Sequence, residues 1–409
     1  MNANNKPKVA IGQAGGPTSV VNASLIGFLE EARDHFRVFG IVNAMQGLVE
    51  DWFIEVDDQT FGKIREYFRI PGSVLGAGRR HMAPGDFAAA VDHLRKRDIH
   101  HLVLIGGNGT MYACRQMELA AQAAGYDLTV IGIPKTVDND LLETDHTPGY
   151  GSAVRYVAAS VRDIGEDLKA MQNFETVRII ETMGRNVGWL AASSLMLKEA
   201  EHHPPHFVCV PERPLVLDRF LGDVERAVSR FGYATIVISE GVRDMSGQVL
   251  SRIALNRDAN HTVLGGASKY LAAQVARHLN LPVRAELLGM NQRCFAAMAS
   301  AADRMEAEML GREAVRLLRR GESGVMLTLV RDEASGAEGR PFLAGSCPLE
   351  RVAGKERPLP DDVLNEDGTQ ASAAFKSWLR LLAGDDLKAY PGWSFMPGRV
   401  GGRGGVRRI

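Results

Sequence analysis

The sequence predicts an α/β fold, namely two parallel-sheet domains with flanking helices and an active-site cleft between them. Short apolar runs rich in Val and Ile alternate with longer amphipathic segments, the pattern of parallel strands covered by helices. Several of those runs end directly in glycine or small polar residues that open a helix, which puts backbone N–H groups and a helix dipole where phosphate binds. The chain of 409 residues also exceeds what one hydrophobic core usually serves, and clefts between domains are where small ligands bind.

Strands are expected at KVAIG, HLVLIGG, LTVIGIP, TVRIIET, HFVCVPE and YATIVISEG. The first leads into GQAGGPTS, where Gly15 and Gly16 permit a tight turn and Thr18 or Ser19 can cap the helix SVVNASLIGFLEEARDH. The second leads into GGNGT, residues 106–110, a further phosphate-cradle candidate in which Thr110 offers a hydroxyl. A helix over MYACRQMELAAQAAG follows and stops at Gly125. Beyond about residue 330 the pattern weakens into charged, Pro-rich sequence with one more helical stretch, SAAFKSWLRLLAG. The end, GRVGGRGGVRRI, reads as a frayed basic terminus, since no aromatic stacking platform accompanies it.

Bulk properties exclude several classes of function. Hydrophobic residues make up 45% and charged residues 24%, with a formal net charge of -1, so no nucleic-acid partner is implied. The apolar runs are too short to span a bilayer, and MNANNKPKVAIG lacks the apolar core of a secretory signal. Cys114, Cys209, Cys294 and Cys347 are scattered without metal-ligand spacing and read as reduced thiols of a cytoplasmic protein. The histidines of EHHPPH, residues 201–206, lack helical ligand spacing and read as a solvent-facing loop. A nicotinamide-binding domain wants an acidic residue at the end of its second strand, where IVNAM offers Asn43.

PKTVDNDL is the most informative run. Lys135, Asp138 and Asp140 gather one cation and two carboxylates within six residues. Phosphoryl transfer needs a carboxylate to take the acceptor proton, a cation on the equatorial oxygens and oxygen ligands for Mg2+. One loop supplies all three.

Together these motifs resemble the phosphofructokinase family, in order from Val9 to about Val330: GGPTSVVNASL, SVLGAGR, GGNGT, PKTVDND, TDHTPGYGSA, ETMGRNVGWLAASS, SEG ending at Gly241, and RAELLGMNQR. The resemblance implies Asp138 as the proton acceptor for a sugar 1-hydroxyl, with Lys135 and Thr136 at the transferred phosphoryl group. It implies donor contacts from Gly16, Arg79, Gly109 and Thr110. Sugar-phosphate contacts are implied for Met183, Gly184, Arg185, Glu240, Met290, Arg284 and Arg293, with Arg284 reaching a neighbouring subunit. Arg155 and Arg178 stay unassigned. Mg2+ is the implied cofactor, held by Asn108 and by Asp138 or Asp140.

The implied domains are a phosphoryl-donor domain over 1–145, with about 261–300 returning to it, and a sugar-phosphate domain over 146–260 and 301–330. Residues 331–409 are expected as a C-terminal extension packed on the second domain. A homodimer or homotetramer is expected.

Two positions bear on the donor and disagree. Lys135 resembles pyrophosphate-using members, while Gly109 replaces an Asp that fills the space of a nucleotide's α-phosphate in them. Asn108, TDHTPGYGSA and ETMGRNVGW resemble a pyrophosphate-using subgroup. The expectation is therefore reversible, pyrophosphate-dependent phosphorylation of fructose 6-phosphate to fructose 1,6-bisphosphate, in glycolysis. The alternatives are an ATP-dependent 6-phosphofructokinase and a non-catalytic sugar-phosphate-binding homologue. Met290 stands where the family commonly has His or Tyr, and Thr176 where many members have an arginine, so acceptor recognition is expected to be altered; sedoheptulose 7-phosphate is one conceivable acceptor.

Overall fold

The computed structural model describes residues 6–78, 80–250, 265–332 and 341–391. Its strands are β1 (Lys8–Gln13), β2 (Arg37–Ile41), β3 (Phe53–Glu55), β4 (His101–Gly106), β5 (Thr129–Pro134), β6 (Val177–Thr182), β7 (Phe207–Cys209), β8 (Ala234–Ser239), β9 (Val283–Leu287), β10 (Val325–Arg331) and β11 (Phe342–Pro348). Its helices are α1 (Val21–Ala32), α2 (Met45–Glu50), α3 (Asp58–Arg65), α4 (Pro84–Lys96), α5 (Asn108–Ala123), α6 (Tyr150–Met171), α7 (Trp189–Ser193), α8 (Leu217–Phe231), α9 (Ala267–Leu279), α10 (Asn291–Cys294), α11 (Ala301–Arg319), α12 (Leu349–Val352) and α13 (Ala373–Ala383).

All six runs expected as strands are strands, and the fold is α/β with two sheets. The described residues form two compact units: one of residues up to 155 with 293–357 and 381–384, the other of 156–292 with 358–380 and 385–391.

The first unit holds a seven-stranded sheet in the order β11-β10-β5-β4-β1-β2-β3. Its five inner strands are parallel, and β3 and β11 are antiparallel edges. Leu102 to Ile105 of β4 are fully buried, as strands covered on both faces must be. Leu104, Val130, Met111 and Leu349 share one apolar core. The second unit holds a four-stranded parallel sheet, β7-β8-β6-β9. Every residue of β6 and β8 is buried, and Ile179, Ile236, Phe220 and Leu271 form its core.

The domain division differs from the expected one. Residues 265–292 lie in the second unit, because β9 pairs with β6 there, and 301–330 lie in the first, because β10 pairs with β5. The extension is divided as well. Its β11 pairs along the whole length of β10, and Leu349 and Val352 of α12 are buried in the first core, while 358–380 belong to the second unit.

Two local readings are corrected. Thr18 and Ser19 do not cap α1, which starts after Val20 without a side-chain cap; Ser19 Oγ instead donates to the Arg293 carbonyl at 3.2 Å. The EHHPPH histidines are not a solvent-facing loop. His206 is buried against Phe231 and Tyr233, with Nδ1 accepting from Thr235 N–H at 2.9 Å, and burial pushes its pKa down to about 3. All four cysteines are free thiols. Among the described residues, no helix is long and apolar enough to cross a membrane.

Candidate active site

In the first unit the ends of β1, β4 and β5 bring three predicted loops together. Lys135, 3% exposed at the end of β5, donates from Nζ to the carbonyl oxygens of Ala14 at 2.8 Å and Gly16 at 2.7 Å. Its own N–H donates to the Gly106 carbonyl at 2.8 Å, at the end of β4. A buried ammonium therefore ties the first glycine loop to the β5 loop and brings positive charge to both.

Beside it begins α5, with Gly107 at the N-cap and Asn108, Gly109 and Thr110 in its first turn. A helix of 16 residues presents unsatisfied N–H groups and the positive end of its dipole there. Among the described residues, no atom beyond its chain neighbours and its own stretch of helix backbone lies within 4 Å of where a Cβ on Gly109 would stand. Thr110 is buried, its hydroxyl packed against Gly106 rather than projecting from the turn. Asn108 Nδ2 donates to the Lys355 carbonyl, a contact from the extension. Arg79 lies outside the described residues.

The loop from Lys135 to Gly149 carries both carboxylates. Asp138 N–H donates to Thr136 Oγ1 at 3.1 Å, and Thr147 Oγ1 donates to the Thr136 carbonyl at 3.2 Å. Asp140 has an oxygen, Oδ1, that is buried and finds no hydrogen-bond partner among the described residues. Burial and then the charge of Asp138 push the Asp140 carboxyl up to about 7.

Three groups pin this loop. The Asp303 carboxylate accepts from Gly149 N–H at 2.7 Å and Ser152 N–H at 2.9 Å, anchoring the start of α6. His146, fully buried, meets Asp145 at 2.9 Å and Glu306 at 2.9 Å. Burial alone would lower its pKa, but the Glu306 charge and the hydrogen bonds to both carboxylates outweigh that and raise it to about 9. Arg357, from the extension, donates to loop carbonyls.

In the second unit Met183, Gly184, Arg185 and Glu240 gather at the ends of β6 and β8. Met183 N–H donates to Gln292 Oε1 at 2.9 Å, Glu240 N–H to the Thr182 carbonyl at 2.9 Å, and Gly241 N–H to the Gly184 carbonyl at 3.1 Å. A Cβ on Gly241 would stand 1.8 Å from the Arg185 carbonyl, so glycine is required for the two loops to approach. Gln292 Nε2 also donates to the Gly289 carbonyl at 3.0 Å, which brings the turn bearing Met290, 54% exposed, to the same strand ends.

Arg284 is not part of that group. It pairs in register with Arg178, near the start of β6, and its guanidinium contacts the Glu175 carboxylate, which also holds Arg178. Arg178 is a buried ion-pair residue, bonded to Asp167 at 2.8 Å as well. Thr176 is buried beside them. Arg293 falls in the first unit.

The phosphofructokinase family model matches residues 8–318. The chain belongs to the phosphofructokinase family. It is 44% identical over 375 residues to a sulfofructose kinase of Alkalicoccus urumqiensis, covering 91% of this chain and 94% of that one. It is 32% identical over 391 residues to a pyrophosphate–fructose 6-phosphate 1-phosphotransferase of Rhodospirillum rubrum, covering 93% and 95%. The crystal structure of a pyrophosphate-dependent phosphofructokinase from Marinobacter aquaeolei superposes with a TM-score of 0.81 at 29% identity, covering 96% of this chain and 95% of that one. The chain is thus a phosphotransferase of the phosphofructokinase family.

Several supporting residues of this phosphofructokinase-family chain escape sequence reasoning. Gln292 lies inside the quoted run RAELLGMNQR but has no chemistry of its own to mark it. Asp303 stands in SAAD after Ser300, a capping signature for α11; the Ser300 hydroxyl does accept from Asp303 N–H, while the carboxylate serves α6 instead. Arg357 and Glu306 carry no local signal.

Proposed function

We propose that the chain transfers a phosphoryl group from pyrophosphate to the 1-hydroxyl of a ketohexose bearing an anionic group, with sulfofructose as the favoured acceptor. Asp138 takes the hydroxyl proton as the oxygen attacks phosphorus, while Lys135 and the start of α5 offset the charge gathering on the phosphoryl oxygens. Met183, Gly184, Arg185, Glu240 and Met290 are assigned to the ketose, with Arg293 and a partner's Arg284 at its anion, which implies a homodimer or homotetramer.

The observation that carries the choice of acceptor is the Arg284–Glu175 contact. A phosphate monoester carries nearly two negative charges at neutral pH, a sulfonate only one. Here one arginine assigned to the anion is offset by a carboxylate, and the positions of Thr176 and Met290 carry no cation. Reduced positive charge suits the monoanion. The similarity to a sulfofructose kinase supports the same reading. Fructose 6-phosphate, the acceptor expected from the sequence, is the second reading, supported by the retained Arg185 and Arg293 and by the relative that uses it.

For the donor, the carbonyl-anchored Lys135 and the extension lying across Asn108 support pyrophosphate, while the open space at Gly109 supports the alternative, ATP. Mg2+ fits the carboxylates of the Asp138–Asp140 loop, since Asp140 Oδ1 is a buried oxygen with no hydrogen-bond partner among the described residues. No group of three or more metal-ligating side chains exists among the described residues, so the ion would lean on the donor's phosphate oxygens. Its chemistry there is charge neutralisation. Initial rates with sulfofructose and fructose 6-phosphate, each with pyrophosphate and with ATP, test the assignment. The highest kcat/KM is expected for sulfofructose with pyrophosphate. A higher value for fructose 6-phosphate would overturn the acceptor, and turnover with ATP alone the donor.

A further inference from the structure

Arg357 stands in KERPLPDD, in a stretch with no strand or helix pattern, yet it donates five hydrogen bonds to the Asp138 loop. Nε and Nη2 both donate to the Asn139 carbonyl, at 3.3 and 3.2 Å, and Nη1 donates to those of Thr144 and Asp145, at 2.6 and 2.8 Å. Its backbone N–H donates to the Asp140 carbonyl at 2.7 Å.

These carbonyls need such a donor. Between Thr136 and Pro148 the chain is neither helix nor strand, and Asn139 and Glu143 turn through positive φ, 57° and 63°, so consecutive carbonyls point away from any ladder. Shielded carbonyls without donors are costly. A planar guanidinium has five donors in a fixed fork and spans two stretches of backbone at once; a lysine ammonium is a point on a flexible stem and holds one.

We propose that Arg357 is a positioning residue: by bridging Asn139 to Thr144 and Asp145 it fixes the segment that carries Asp138 and Asp140. The inference rests on the reading of Asp138 as the base. The residues assigned to the ketose belong to the second unit, except Arg293, which lies outside the bridged segment, so loss of the bridge should act on kcat and not on ketose KM.

The test compares Arg357→Lys and Arg357→Gln with Arg213→Lys. Arg213 likewise donates to four carbonyls, of Asp361, Leu364, Asn365 and Glu366, but within the second unit. In the Arg357 variants kcat should fall about 10²-fold, as a misplacement of about 1 Å can produce, with ketose KM within about threefold of wild type. Amide hydrogen exchange should rise over residues 136–147 alone. Arg213→Lys should lose stability and keep kcat. Unchanged exchange over 136–147 would overturn the proposal, as would equal loss of kcat in the Arg213 variant, or failure of both Arg357 variants to fold. A wild-type protein that turns over no donor and ketose pair refutes the functional reading instead, and the exchange measurement still decides the role of Arg357.

Discussion

At Gly109 the missing side chain is itself the chemistry. The open space there would receive a carboxylate in Gly109→Asp without a steric clash, next to any phosphate held at the start of α5. That variant should keep pyrophosphate turnover within about tenfold, since like charges at an exposed site interact by about 1 kcal/mol, and should lose whatever ATP turnover the wild type has. Equal loss with both donors, read from initial rates, would contradict the placement. Residues of this kind were legible because their chemistry is local: Lys135, Asp138 and Asp140 stand in one loop, which bonds to the carbonyls of Gly16 and Gly106. Arg284 shows the limit. Its motif was visible, but its bond to Glu175 depends on the register of β9 against β6, and no run of sequence encodes that register.

At the scale of elements, the loop from Lys135 to Gly149 is held by side chains far away in sequence, so its rigidity is tied to ionisation. The folded pKa of His146, about 9, lies above its ordinary 6.5. Its stabilisation is therefore fully present below about pH 6.5 and is lost as pH rises through about 9, amounting to at most about 3 kcal/mol. The stability advantage of wild type over His146→Gln, measured by denaturant unfolding, should shrink over that window; a difference independent of pH would contradict the triad. Helix packing makes a second prediction. A Cβ on Gly27 of α1 would lie 2.3 Å from the Glu308 carbonyl of α11, and one on Gly311 lies 2.1 Å from the Ser24 carbonyl. Gly27→Ala should cost about 1–3 kcal/mol through overpacking, read as a lowered Tm. The helices α1, α5 and α13 were legible from their periodicity and six of the strands from their Val and Ile runs. β11 was not: as an edge strand it buries only Phe342 and Cys347, with no continuous apolar run to mark it.

At the scale of the whole molecule, the chain passes between its two units more often than two consecutive domains would require. Residues after 330 continue the first unit with β11, α12 and Arg357, supply 358–380 to the second, and return to the first over 381–384. The extension is accordingly structural. A chain ending at residue 332 should lose the native cooperative unfolding transition, because β10 would keep an unpaired edge and the first core would lose Leu349 and Val352; an unchanged Tm would contradict this. Those returns were not legible, because they are set by strand order and not by composition. The central claim, that Asp138 is the base of a phosphotransferase, is tested most directly by Asp138→Asn. Ketose binding is expected within about threefold of wild type by calorimetry, with kcat lowered about 10²–10⁴-fold. Turnover unchanged from wild type would contradict it.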